Sequence, residues 1–293
     1  MIGLRSLLRL LTFCGIAAHA SAQVEVKLQM ARNTFLAGEP VEVVVSITNQ
    51  SGQDLTLQGS NRLGWIDFTV SGANRSGVPM SPVGQTAFGA VKIPFGQTMS
   101  RKFDLAQIYP LKEMGNYSVY GVVRLPGQST DGFISNRLLF NINTARAYWS
   151  QRVGLPGKAG QTREFRVLNF SGGRKTVLYA QVVDMKTGSP MQTHSLGEYL
   201  SFRKPAVTLD NRQVMHVLYL VGPTVWSHAK IGPDGTLLGS ELHKAGGGAD
   251  PQLFTMRDGS VQVGNSIPYD PKAEAEARGR VRKASERPNF IFQ

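Results

Sequence analysis

From residue 24 to residue 144 the chain alternates apolar and polar residues in seven short segments. They are "VEVKLQM", "EPVEVVVSITN", "DLTLQG", "WIDFTVSG", "SRKFDL", "GNYSVYGVVRL" and "NRLLFNIN". Turn formers separate most of them, as in "LAGEP", "NQSGQD" and "LPGQSTDG". A period of two sends successive side chains to opposite faces, so each segment predicts a strand with one buried face. Seven such strands in about 120 residues predict a β-sandwich.

Two stretches sharpen that expectation: "FLAGEPVEVVVSITNQSGQDLTL" and "IPFGQTMSRKFDLAQIYPLKEMGNYSVYGVV". Together they resemble bacterial immunoglobulin-like domains of the macroglobulin and proteinase-inhibitor-like kinds, over residues 24–144. Gly115, Tyr117 and Val119 match the family's G-x-Y-x-V strand. The resemblance implies that Tyr117 points inward and forms a tyrosine corner, with its ring buried and its hydroxyl on a nearby carbonyl. It implies no single function, because such sandwiches serve adhesion, spacing and inhibition alike. An inhibitor would act through an exposed loop, for which "RSGVPMSPVGQTAFGAVKIP" and "PGQSTDG" are the candidates.

Residues 145–163, "ARAYWSQRVGLPGKAGQTR", interrupt the alternation with Gly, Pro and scattered charge. This predicts a linker over 146–163, between a sandwich at 23–145 and a second β domain at 164–270. Tyr148 and Trp149 in the linker are candidate interaction residues, placed to pack between the domains. Beyond it three stretches align: "FRVLNFSGGRKTVLYAQV" from 165, "PAVTLDNRQVMHVLYLV" from 205 and "PQLFTMRDGSVQVGNSIP" from 251. Each reads as strand, polar turn, strand. The turns "KTG" and "PDG" recur at an offset of 47, and Pro205 to Pro251 at 46. These stretches resemble the blade repeats of bacterial β-propellers. About 106 residues give little more than two blades, whereas a closed ring takes at least four. The expected fold class is therefore all-β: an N-terminal immunoglobulin-like sandwich, then an antiparallel sheet domain of blade-like repeats, either a partial propeller or stacked meanders.

The tail, 271–293, turns charged and Ala-rich and predicts a weakly helical or disordered stretch with no apolar face. It ends on Phe290, Ile291 and Phe292, a β-prone run and a further candidate interaction site, expected to dock on the protein's own sheet.

The first 22 residues change the picture of where this fold works. Arg5 and Arg9, the mostly apolar run Leu10 to Ala18 and the small residues Ala20-Ser21-Ala22 have the three parts of a secretory signal peptide, with the mature chain starting at Gln23. Bulky Phe13 before Cys14 argues against a lipobox. Cys14 is the single cysteine, so the mature chain has no disulfide or thiolate site. No later stretch has the roughly 18 to 20 apolar residues of a membrane helix. Export to the periplasm or outside the cell is expected. The sequons at Asn49, Asn74, Asn116 and Asn169 read as turn chemistry.

The formal charge is +12, and removing Arg5 and Arg9 leaves 30 basic against 20 acidic residues. The excess is spread along the chain with no basic run interleaved with aromatics, so no nucleic-acid partner is expected. An envelope protein or an anionic polysaccharide fits better. His194, His216, His228 and His243 show no spacing that places two metal ligands on one element, and His216 sits alone on its strand face in "VMHVLY". There is no Gly-x-Ser-x-Gly elbow, and "GGGAD" lacks the Gly-Lys-Ser/Thr ending of a phosphate loop. No catalytic, cofactor or metal residue is assigned. The expected function is a non-enzymatic binding or scaffolding protein of the envelope. A carbohydrate-active hydrolase is the first alternative, since its two carboxylates can come from distant strands, and a proteinase inhibitor the second.

Overall fold

A computed structural model describes residues 24–59, 64–73, 77–79, 89–125, 132–157, 159–171 and 176–285. The expected leader, most of both candidate inhibitory loops, residues 172–175 of the first repeat turn, and Phe290, Ile291 and Phe292 lie outside these residues. The first part of the chain forms β1 (Val24–Gln29), β2 (Thr34–Leu36), β3 (Glu42–Asn49), β4 (Leu55–Leu57), β5 (Ile66–Ser71), β6 (Val91–Ile93) and β7 (Thr98–Asp104). After these come the short helix α1 (Leu105–Ile108), β8 (Gly115–Val123), β9 (Phe133–Ile134) and β10 (Leu138–Asn143). All seven predicted segments are strands. The second part forms β11 (Ala147–Gly154), β12 (Thr162–Ser171), β13 (Thr176–Asp184), β14 (Ser189–Glu198), β15 (Ala206–Leu209), β16 (Met215–Gly222) and β17 (Val225–Ile231). It ends with β18 (Leu237–Ala245), β19 (Gln252–Thr255), β20 (Val261–Gly264), β21 (Ser266–Pro268) and helix α2 (Pro271–Ser285).

The chain divides into two compact units. In the first, β1-β3-β7 forms one antiparallel sheet and β10-β8-β5 another, with β9 beside β8 and β4 paired to β6. Alternation does what the pattern predicts: Val43, Val45 and Ile47 of β3 are fully buried while the residues between them are half-buried. Phe103 of β7 meets Phe68 of β5 edge-on at 5.3 Å, which fixes the two sheets face to face. The Tyr117 ring is buried and stacks on Phe140 at 5.4 Å. A buried hydroxyl-to-carbonyl bond of the expected kind is made by Tyr109, whose OH donates to the Phe68 carbonyl. Asn49 is fully buried, its amide donating to the carbonyls of Gln53 and Ile93, as the turn reading of that sequon requires.

The second unit is built from antiparallel sheets layered like the blades of a partial propeller. The first sheet is β11-β12-β13-β14, the second β15-β16-β17-β18 with β21 at its edge, and β19-β20 is a separate hairpin. Two boundaries differ from the sequence reading. The expected linker contains β11, the outer strand of the first sheet. Its alternation is weak because most of an edge strand is exposed, and the Gly/Pro loop after it reads like a linker. The three aligned hairpins are consequently out of phase. β15–β16 and β19–β20 correspond to each other, whereas the 165 stretch forms β12–β13, the inner pair, whose counterpart is β16–β17. The registers agree: Val167 faces Ala180 in the first sheet, and Val217 faces Ala229 in the second.

The second difference is that Thr34–Pro40, expected at the start of the sandwich, packs with the second unit. Leu36 sits against Leu168 and Tyr179. The Ala37 carbonyl accepts from Gln181 Nε2 and Thr193 Oγ1, and the Gly38 carbonyl from the Thr193 amide at 2.9 Å. This segment covers one face of the first sheet. The other face meets the second sheet in a core of Phe165, Val167, Ala180 and Val182 against Met215, Val217, Ala229 and Ile231. The far face of the second sheet carries Leu218, Leu220 and Trp226, packed against Leu253 and Val263 of hairpin β19–β20. The tail is helical in Pro271–Ser285, with Pro271 at its first position and the Asp270 carboxylate accepting from the Lys272 amide. Its Glu274 bonds Lys244 of β18 at 2.6 Å.

Gly38 tests the cover. Its φ is +81°, and an added Cβ would lie 2.7 Å from Pro190 Cβ. Gly38→Ala is expected to cost about 2 kcal/mol in urea unfolding, from left-handed strain and the clash together. Gly239→Ala, in ordinary φ and open space, is expected to stay within about 0.5 kcal/mol.

Candidate functional site

The far face of the second sheet turns polar beyond its apolar patch. Because β16, β17 and β18 are antiparallel neighbours, His216, Lys230, His228 and Glu241 fall on the same face as Leu218 and Trp226. Leu218 is opposite His228, which is opposite Glu241, while Trp226 is opposite His243. His216, His228 and His243 are all buried, at 5%, 2% and 8% exposure, which separates them from surface histidines. His216 is therefore not alone on its strand face: its Nδ1 lies 3.0 Å from His228 Nε2, and the rings stack at 5.2 Å. His228 and His243 rings are 6.0 Å apart.

The hydrogen bonds order these rings. Asp210 Oδ2 lies 3.5 Å from His216 Nε2, and a carboxylate only accepts, so the His216 hydrogen is on Nε2. His216 Nδ1 then accepts from His228 Nε2, which leaves His228 Nδ1 with a free lone pair. On the other side, Ser266 Oγ donates to the Val263 carbonyl and accepts from His243 Nδ1, both at 3.3 Å. His243 Nε2 keeps its lone pair and, among the described residues, has no hydrogen-bond partner despite being buried. Such an orphan costs about 1–3 kcal/mol.

One nitrogen each of His228 and His243 and one Glu241 oxygen lie within 4.8 Å of one another. This is a donor set able to hold a transition metal, and the sequence reading missed it although Glu241 and His243 stand two residues apart on one face of β18. The ligands come from two strands across the "GPDGT" turn, and a register shift between Lys230 and Ile231 hides their alignment from a simple hairpin count. The available signals were the Glu241-Leu242-His243 alternation and density: three of the four histidines after the leader fall between 216 and 243.

Electrostatics keep the rings neutral. Burial pushes His228 down to about 4, helped by the positive character of His216 and Lys230. Burial also lowers His243, and lowers His216 against the opposing pull of Asp210. The Lys230 ammonium, 2.9 Å from Glu241 Oε1, holds that carboxyl below its usual range. Neutral imidazoles and an ionised carboxylate are the forms that bind metal.

The residues predicted for interaction lie elsewhere. Tyr148 and Trp149 are on β11: Trp149 packs against the core shared by the two sheets, and Tyr148 OH donates to the Pro205 carbonyl at 3.3 Å. Both are thus engaged inside the second unit. Among the described residues no helix is long and apolar enough to cross a membrane.

No family model and no curated protein matches the chain. Among solved structures it is similar to Spo0M, the sporulation control protein of Bacillus subtilis, over 90% of this chain and 96% of that one. The identity is 10% and the TM-score 0.27. A likeness at that score carries no argument about fold or chemistry.

The depressed His228 gives a pH signature in chelator-treated protein. The unfolded imidazole takes a proton near pH 6.5, whereas the folded one stays neutral to about 4. Stability is therefore level above pH 6.5 and declines as pH falls toward 4, by roughly 2 to 3 kcal/mol from this group. The groups acting on it are His216, Lys230, His243 and Glu241, with Asp210 behind His216. Urea melts between pH 7 and 5, above the range where most carboxylates titrate, are expected to show the decline, and His228→Gln to reduce it, the remainder coming from the likewise lowered His216 and His243.

Proposed function

We propose that the protein is exported through its N-terminal leader and works in the cell envelope as a non-enzymatic binding or scaffolding protein. In this reading the first unit is an immunoglobulin-like sandwich, supported by the facing sheets and the inward Tyr117, and the second displays blade-like hairpins. One observation carries the reading: the turn carboxylates of the second unit are locked into their own turns. Asp184, Asp210, Asp234 and Asp258 each accept, through Oδ1, from the backbone amide two residues on, at 2.8–3.0 Å. Gly235 and Gly259 follow with φ of +89° and +79°, the left-handed conformation these turns require. The bonds from Thr236 and Ser260 hold Asp234 and Asp258 below the usual carboxylate range. Turns fixed in this way on stacked sheets suit recognition, where a preformed surface avoids the entropy of ordering a loop. The basic excess directs the choice of partner toward an envelope protein or an anionic polysaccharide.

Expression of the full chain in a bacterial host, with fractionation and N-terminal sequencing, tests export. A mature chain starting at Gln23 outside the cytoplasm is expected, and an intact leader on cytoplasmic protein would contradict it. The mature chain should also sediment with isolated envelope at about 0.1 M salt. Release at 1 M, where the screening length drops from about 10 Å to about 3 Å, identifies a polyanion, and retention identifies a protein partner. Failure to sediment at either salt rejects the envelope role.

A further inference from the structure

We propose that His228 and His243, with a Glu241 carboxylate oxygen, bind one divalent first-row transition ion on the face of the second sheet. Zinc is the reference case. Two independent features point there. The donor atoms converge within 4.8 Å, and His243 Nε2 is buried without a hydrogen-bond partner among the described residues, as a nitrogen reserved for a metal would be. The surrounding bonds have the form that supports metal-bound histidines. Asp210 orients His216, His216 orients His228, and Ser266 orients His243, so each ligand imidazole uses its other nitrogen in a bond that fixes the tautomer. Donors around a four-coordinate zinc, with bonds near 2.0–2.1 Å, stand about 3.3 Å apart. Closing onto an ion therefore takes a shift of about 1 Å, and Glu241, whose side chain is 60% exposed, has the freedom to make it. Two imidazoles and a carboxylate suit zinc and cobalt, and leave room for solvent or a partner's group to complete the shell. The site stands independently of the envelope role.

Lys230 gives the proposal its sharpest consequence. Its ammonium is bonded to Glu241 and repels an incoming cation, so removing it strengthens binding, whereas a merely structural cluster would be weakened or unaffected.

The test uses untagged, chelator-treated protein titrated with Zn2+ and, separately, with Co2+. One equivalent of Zn2+ is expected to raise the melting temperature, and Co2+ to give the visible absorption of a four- or five-coordinate centre. Glu241→Gln, at an exposed position that leaves folding intact, should weaken binding at least about tenfold. His243→Leu removes the orphaned nitrogen and should abolish the Co2+ spectrum while the metal-free protein still melts cooperatively. His216→Leu, at a positioning residue, should weaken binding about tenfold. Lys230→Met should tighten it about threefold to tenfold. His194→Ala, on β14 away from the cluster, should change nothing. No stabilisation of the wild type by Zn2+, or an equal stabilisation in Glu241→Gln and His243→Leu, would overturn the proposal.

Discussion

A β-sheet in water has two faces, and a sheet apolar on both must be covered twice. The second unit is organised by that requirement. Its four-stranded and five-stranded sheets share one core, in which Phe165, Val167, Ala180 and Val182 meet Met215, Val217, Ala229 and Ile231, all with essentially no exposed surface. Each sheet then has a second apolar face left over. Residues 34–40 close one through Leu36, and hairpin β19–β20 closes the other through Leu253 and Val263. The stack ends where its covers end, so no closed ring is needed to bury it.

The same requirement explains where the polar side chains gather. On the covered face of the first sheet, Gln181 and Thr193 are buried, and both are satisfied by the carbonyl of Ala37 in the cover itself. On the second sheet the hairpin covers the Leu218–Leu220–Trp226 patch, and His216, His228 and His243 beside it are satisfied by one another, by Asp210 and by Ser266. Two ring nitrogens keep their lone pairs, His228 Nδ1 and His243 Nε2, and the second is buried with no partner among the described residues. A buried, unpartnered nitrogen on an imidazole that sits beside a second imidazole and a carboxylate is a more specific feature than a histidine-rich surface, because desolvation makes it costly to leave empty.

Much of the fold was legible because it depends on local patterning. Seven of the ten strands β1–β10 follow from period-two alternation, with the short β2, β6 and β9 missed, and the Asp-Gly turns follow from the need for positive φ at Gly235 and Gly259. What was not legible depends on long-range pairing. β11 is an edge strand whose exposed residues erase the alternation, so its stretch reads as a linker, and that hid the true phase of the repeat. "FLAGEP" reads as a turn before a strand, and nothing local shows that it pairs with Asn141–Asn143 and covers the first sheet. The histidine cluster was invisible for a related reason: its members are neighbours only after three strands are registered, and the shift at Lys230–Ile231 sets which residue faces His228. A spacing rule for one strand sees only the Glu241–His243 pair on β18 and misses the His228 that the neighbouring strand sets against it.

The account rests on the shared core making both sheets one folding unit, since the register that assembles the histidines is held by strands packed in it. Native-state hydrogen exchange on β12, β13, β16 and β17 measures this directly. One common opening free energy for the inner strands of both sheets, equal to that of global unfolding, is the predicted result. Separate opening free energies, with one sheet exchanging while the other stays protected, would contradict it.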